Sequence, residues 1–212
     1  NKITALNAVT DENITVVGAG LTTVTINATG TASAMDTIVL PGATTVNVNA
    51  SVALTTVMST TGVVAALNIT GAGAVGLGLL DTGFDTVTAT SSTGGLTASI
   101  GAAVDTVMTL GSGNDVITAS TTDALVAANT LSVDGGEGSN TLVLGDAADV
   151  DTAADAARYT NFDTLAVVDD INTSLVAGIT TVSVGANTSA IISALDAAKA
   201  ANITMSAGNT TS

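Results

Sequence analysis

Five times in this chain an aspartate opens a phrase with an apolar residue two places later: Met35-Asp36-Thr37-Ile38, Phe84-Asp85-Thr86-Val87, Val104-Asp105-Thr106-Val107, Asn114-Asp115-Val116-Ile117 and Phe162-Asp163-Thr164-Leu165. Two glycine-rich stretches follow the nonapeptide form GGxGxDxUx, which holds Ca²⁺ where parallel coils turn. Leu110-Gly111-Ser112-Gly113-Asn114-Asp115-Val116-Ile117-Thr118 departs from it only at the first glycine. Gly135-Gly136-Glu137-Gly138-Ser139-Asn140-Thr141-Leu142-Val143 departs only at the aspartate, which is Asn140. Glycines let the backbone turn its carbonyl oxygens toward one point, and a carboxylate completes an oxygen cage for a hard cation.

The two copies stand 25 residues apart, from Asp115 to Asn140, rather than the spacing a tandem array would need. The pattern therefore predicts one or two isolated calcium sites and not a continuous row of ions. Gly111, Gly113, Asp115 and Asp134 are the leading candidates, with Asp81, Asp85, Asp105 and Asn140 behind them. Asp36 and Asp163 are read as turn caps that accept backbone N–H bonds. Acidic density points to the same region, since 12 of the 18 acids fall between Asp105 and Asp170, where Arg158 is the single base.

Other chemistries fare worse. The chain has no His and no Cys, so it has no Ser-His dyad, no imidazole metal site and no thiolate. Asp169-Asp170 and Asp149-x-Asp151 place acids close in sequence, but a glycosidase sets its acids about a sugar cleft. The only aromatics to line such a cleft are Phe84, Tyr159 and Phe162. Gly71-Ala72-Gly73-Ala74-Val75-Gly76 matches GxGxxG, yet no helix-forming segment follows, so it reads as a corner and not a dinucleotide loop. The chain is expected not to be an enzyme.

The elements that position these residues are read from periodicity. Val24/Ile26, Val46/Val48, Leu67/Ile69, Val87/Ala89 and Val107/Thr109 recur at steps of 20 to 22 residues. A second series runs Ile14/Val16, Ile38/Leu40, Leu54 to Val57, Leu77/Leu79, Leu96/Ala98 and Ile117. Two strands per coil is the simplest reading, with aliphatics inward and Thr/Asn outward at period two. Glycines such as Gly18, Gly20, Gly30, Gly42, Gly62, Gly71 and Gly73 mark the corners. The expected fold is all-β, a parallel β-helix or β-solenoid with coils of about 20 residues.

Ala147 to Tyr159 and Ser189 to Ala201 lack glycine and are alanine-rich, so each predicts a short helix, the second capped by Thr188 or Ser189. Strand pairs resume at Leu165/Val167, Val182/Val184 and Ile203/Met205. The helices are thus expected to replace an outer strand. The reading is one solenoid domain over 1–212, regular through 1–146 and decorated over 147–212.

Composition agrees with a thin layered core: 46% of the residues are hydrophobic but only 1% aromatic. Three bases against 18 acids give a net charge of −15, which excludes nucleic acid as a natural partner. Sixteen of the acids are Asp, a turn former and hard-cation ligand. No apolar run is long enough to span a membrane as a helix. The absence of Cys suits an exported protein, and the start at Asn1 reads as a fragment or a mature product.

The two nonapeptides, the recurring Phe-Asp-Thr phrase and the Cys-free Thr/Ala/Gly/Asn background resemble bacterial RTX proteins exported by type I secretion. Within that group the chain is most similar to surface-layer proteins of Gram-negative bacteria. The resemblance implies an extracellular, calcium-stabilised solenoid that self-associates into a two-dimensional lattice on the cell surface. Outer-membrane lipopolysaccharide would be its anchor, reached through regions outside these residues. The same features suit the passive stalk of a large secreted adhesin. Ice binding would require a regular Thr-x-Thr on every coil, whereas the row reads Thr23-Thr25, Thr45-Asn47, Ala66-Asn68, Thr86-Thr88, Thr106-Met108.

Overall fold

A computed structural model describes residues 2–3, 13–17, 20–60, 65–101, 105–119, 130–145, 150–167, 170–185 and 191–205. The chain winds into a parallel β-solenoid of about eight turns, with about 21 residues per coil. The odd strands β1 Lys2–Ile3, β3 Thr23–Ala28, β5 Thr45–Ala50, β7 Ala65–Gly71, β9 Phe84–Ser92, β11 Val107–Thr109, β13 Ser132–Asp134 and β15 Tyr159–Thr160 pair in that order as one eight-stranded sheet. The even strands β2 Ile14–Thr15, β4 Ser33–Val39, β6 Leu54–Ser59, β8 Val75–Leu79, β10 Leu96–Ser99, β12 Val116–Thr118, β14 Thr141–Leu144, β16 Thr164–Val167, β18 Thr181–Val184 and β20 Ile203–Met205 form a ten-stranded one. As far as β16, each coil thus contributes one strand to each sheet, the expected two per turn.

Alternation within strands builds the core between the sheets. Val24, Val46, Leu67, Val87, Met108, Val133 and Tyr159 stand in one register column and are all buried. Facing them, Ala98, Ile117, Leu142, Leu165 and Val182 make a second buried column. The three aromatics are among the fully buried side chains, and Tyr159 meets Phe162 edge-on at 6.4 Å between centroids. Small aliphatics suffice because each coil buries its layer against the next, so no single large anchor must fill the interior.

The outward face of the odd sheet is a polar ladder. Asn68 Nδ2 donates to Asn47 Oδ1 at 2.9 Å, Asn49 Nδ2 to Asn27 Oδ1 at 2.7 Å, and Thr70 Oγ1 to Asn49 Oδ1 at 2.8 Å. Side-chain bonds therefore tie neighbouring coils along with the backbone. Replacing Asn68 by Ala is expected to cost about 1 kcal/mol, one such bond at a solvent-facing site, read as a small drop in the urea midpoint at unchanged slope.

The strand rhythm fails at three places, each for a local reason. Val107/Thr109 was expected inward, but Met108 takes the core seat opposite Val87, and Val107 is exposed. The hydroxyl of Thr106, expected outward, is buried and donates to the carbonyl of Phe84. Leu79 lies outside because the register slips at Gly78, whose φ of 60° only glycine adopts readily, while Leu77 and Leu80 stay in the core. On β6 it is Thr56 and Met58 that point inward, and Val57 faces outward.

The decorated third also departs from expectation. Its first helix, α1, spans only Ala153–Ala156, where Thr152 caps Asp155 N at 3.1 Å; residues 147–149 lie outside those described. The second, α2, spans Ala197–Ala201 and is capped by Asp196, whose Oδ1 accepts from Lys199 N at 2.9 Å. Thr188 and Ser189 lie outside the described residues, and Ile192–Ser193 is a strand, β19, where a helix was expected. Lys199 Nζ closes on Asp196 Oδ2 at 3.0 Å, and these bonds, the Lys199 N–H foremost, hold the carboxyl below its ordinary pKa. Neither helix replaces a strand: α1 sits in the link from β14 to β15, and α2 in the link from β19 to β20. β19 pairs with β17, Ile171–Asn172, as a separate two-stranded sheet. The ten-stranded sheet runs unbroken from β2 to β20 through both the regular and the decorated parts.

Candidate functional site: a polar column inside the solenoid

The residues that the nonapeptides single out meet at one corner of the coil. At this corner glycine stacks on glycine. A Cβ built on Gly94 would lie 2.3 Å from Gly73 O, one on Gly113 2.5 Å from Gly94 O, and one on Gly138 2.2 Å from Gly113 O. Two residues earlier, Gly71, Gly111 and Gly136 meet the preceding coil as closely, at 2.0, 2.1 and 2.3 Å from Ala50 O, Ser92 O and Gly111 O. The G-x-G spacing of Gly71/Gly73, Gly111/Gly113 and Gly136/Gly138 thus arises where backbones of successive coils leave no room for a Cβ, while the coil between the first two pairs carries Ser92 at the first position.

Just past that corner, the residues that start β4, β6, β8 and β10 form a column, Ser33, Leu54, Val75, Leu96, which the neighbouring registers extend to Asp115, Asn140 and Asp163, each one residue before β12, β14 and β16. In the early coils its N–H groups donate to backbone carbonyls of the next coil: Ser33 N to Ala53 O, Leu54 N to Ala74 O and Val75 N to Gly95 O, each at 2.9 Å. From Leu96 onward, side chains take that task. Leu96 N donates to Asp115 Oδ1 at 2.6 Å, Asp115 N to Asn140 Oδ1 at 3.0 Å, and Asn140 N to Asp163 Oδ2 at 2.9 Å. Asp115 and Asn140 are both 1% exposed.

Asn140 uses both ends of its amide. With Oδ1 turned to the Asp115 N–H, Nδ2 donates to Gly135 O at 3.0 Å, Glu137 O at 3.3 Å and Asn161 O at 3.0 Å. Three carbonyls do converge at the second nonapeptide, as the glycine pattern predicts, and an amide NH₂ sits where they meet. Asp115 has no such complement: its Oδ2 is buried without a hydrogen-bond partner. Burial raises its pKa to about 6, against the opposing pull of the Leu96 N–H.

The other candidates are placed apart. Asp134 Oδ1 caps its own corner, accepting from Gly136 N at 3.0 Å and Asn161 Nδ2 at 2.6 Å. Asp81 Oδ1 accepts from Gly83 N at 2.7 Å, and exposed Asp105 accepts from Thr130 N at 2.8 Å. Asp85 is exposed on the odd sheet, the extra residue where Ala65 pairs Phe84 and Ala66 pairs Thr86. Asp36 is likewise exposed beside a register shift, in β4. Asp163, read as a local cap, instead caps the coil before it.

Tested against calcium, the buried column fits poorly. Ca²⁺ takes about six to eight oxygens and is usually held by several carboxylates. The Asn140 rung offers its carbonyls to an NH₂ group, and at the Asp115 rung a single carboxylate, half committed to Leu96 N–H, would face a divalent charge sealed from water. No group of three or more acids capable of holding a metal is found among the described residues. Nor is any helix there long and apolar enough to cross a membrane. No family model, curated protein or solved structure matches this chain.

Proposed function

We propose that this chain is a structural, non-enzymatic segment of a bacterial cell-surface layer that self-associates side by side into a two-dimensional lattice. The observation that carries the reading is the continuity of the stack: two parallel sheets share one core, and side-chain amides bond from coil to coil on the outer face. Such a repeat resists bending and offers flat polar flanks for copies to abut. The resemblance of its sequence to RTX surface-layer proteins supports the reading that it lies outside a Gram-negative cell, exported by type I secretion and anchored to lipopolysaccharide through other regions.

Calcium enters this proposal at the surface. Copies that each carry a net charge of −15 repel when packed, and exposed carboxylates such as Asp36, Asp85, Asp105 and Asp151 are where divalent ions would offset that repulsion between neighbours. Electron cryo-microscopy of the purified protein, with millimolar Ca²⁺ and with EGTA, tests this. Ordered sheets with calcium and dispersed particles without it are the expected result. Isolated rods under both conditions would overturn it and favour the adhesin stalk.

A further inference from the structure

We propose that in mildly acidic solution Asp115 is carried in the folded protein as the neutral acid, its Oδ2 bearing a proton that it donates to the corner carbonyls, so that a proton does at this rung what an amide does at the next. The inference is independent of any role at a cell surface. It rests on the repeat itself, which supplies an internal reference for the site.

Asp115 and Asn140 are one coil apart in the same column, and the Oδ1 of each accepts from the column N–H of the coil before. They differ in the remaining atom. For Asn140 it is Nδ2, bonded to the carbonyls five and three residues back and to that of Asn161 on the next coil. The residues standing in the same relation to Asp115 are Leu110, Ser112 and Gly135. The bonds Leu110 N to Asp134 O and Gly135 N to Thr160 O show that Leu110, Gly135 and Asn161 are successive rungs.

Carbonyl oxygens only accept, and so does an ionised carboxylate; a protonated one donates. A charged Oδ2 facing that set would be repelled as well as desolvated, whereas an acid proton gives the orphaned oxygen the bond its neighbour makes. Nearby elements bring no positive charge to offset ionisation. The acids on them are Asp134 and Glu137 on the next coil and Asp163 two rungs on. Of the three cations, Arg158 pairs with Asp155 at 3.5 Å, Lys199 pairs with Asp196 at 3.0 Å, and Lys2 belongs to β1, at the other edge of the eight-stranded sheet. Burial lifts the pKa of the group in the direction this requires.

The sign of the pH effect follows. An acid whose pKa is higher folded than unfolded loses stabilisation as pH rises from its unfolded value near 3.8 through its folded value of about 6, and is indifferent below both. Asp115→Asn supplies the donor at every pH. In EGTA, the variant and the wild type are expected to melt together at about pH 3, below both values, with the variant melting roughly 5–10 °C higher at about pH 7.5.

Equal differences at the two pH values, or a variant less stable than wild type at the higher one, would overturn the proposal. So would a wild type that millimolar Ca²⁺ stabilises at the higher pH while leaving Asp115→Asn unmoved, because the site would then hold an ion. Should the variant not fold, isotope-edited infrared spectra of labelled Asp in the wild type decide. A protonated-carboxyl band retained at about pH 5, where ordinary aspartates are ionised, is expected, and its absence would refute the assignment.

Discussion

Gly113→Ala is expected to unstack the solenoid at its glycine corner, lowering stability by about 4 kcal/mol or more. The added Cβ would lie 2.5 Å from both the carbonyl carbon and oxygen of Gly94 and 2.6 Å from Gly95 N. These are backbone atoms, which cannot rotate aside as a side chain can. Relief would require the two coils to separate where the next strands begin, and so to lengthen the ladder bonds that hold β10 to β12. In a stack whose units touch only their neighbours, a weakened interface lets the two sides open independently. Urea unfolding followed by hydrogen exchange should show the coils beyond the corner losing protection first.

Gly20→Ala is the matched control. Gly20, unlike Gly113, needs a left-handed backbone, at φ 72°, but a Cβ there meets nothing within 4 Å, so its cost is limited to the conformational penalty of about 1–2 kcal/mol. The comparison separates two roles for the nonapeptide glycines. If they serve to aim carbonyls at an ion, Gly113→Ala matters when calcium is present and little in EGTA. Steric stacking predicts the same loss in both, and a variant as stable as wild type in EGTA would defeat it.

That contrast also shows how far the site was legible. The period of the aliphatic pairs and their alternation carried the fold, because a stacked coil repeats its inside and outside whatever the corner does. Registers went astray where one residue is inserted. Gly78 turns Leu79 outward, and Asp85 is the extra residue of a shift in β9; an apolar pattern is silent about such insertions. The helices proved shorter because alanine content marks a tolerance for helix, whereas the strand pairing of Ile171 with Ile192 decides where one can run.

At the corner, the glycines were found for an incomplete reason. Gly71 and Gly73 have the same spacing with no aspartate following, and their clash with Ala50 and Val52 shows that stacking alone requires it. Asn140 read as a defect in a calcium motif and Asp163 as a cap of its own turn. Aligning coils by strand register, rather than by motif, would have set Leu96, Asp115, Asn140 and Asp163 in one column. The change in that column from apolar to amide and acid was visible as a change of residue type at a fixed inward seat. What the linear sequence withheld was that the column N–H groups exchange carbonyl partners for side chains at Leu96.

Asn140→Asp brings these strands of argument to one measurement, because it completes the nonapeptide. If the motif works by holding calcium, restoring its aspartate should strengthen the ion and the fold together. The column geometry predicts the reverse. The new carboxylate keeps an oxygen for the Asp115 N–H but loses the NH₂ that satisfies Gly135, Glu137 and Asn161, and it places a charge in a 1% exposed seat one coil, about 4.8 Å, from Asp115. An uncompensated buried charge costs about 3–5 kcal/mol, so the urea midpoint at neutral pH should fall well below that of the wild type. Protonation restores a donor. Since burial raises the folded pKa of such an acid, the deficit should grow as pH rises from about 4 and largely vanish below it, the same sign as for Asp115 and larger, with two acids now in line. Asn140→Leu, which loses the acceptor as well as the donor, should be destabilised at both ends of that range. An Asn140→Asp protein as stable as wild type at neutral pH, or one whose midpoint rises with millimolar Ca²⁺, would show that the carbonyls at this corner await a cation and not a hydrogen-bond donor.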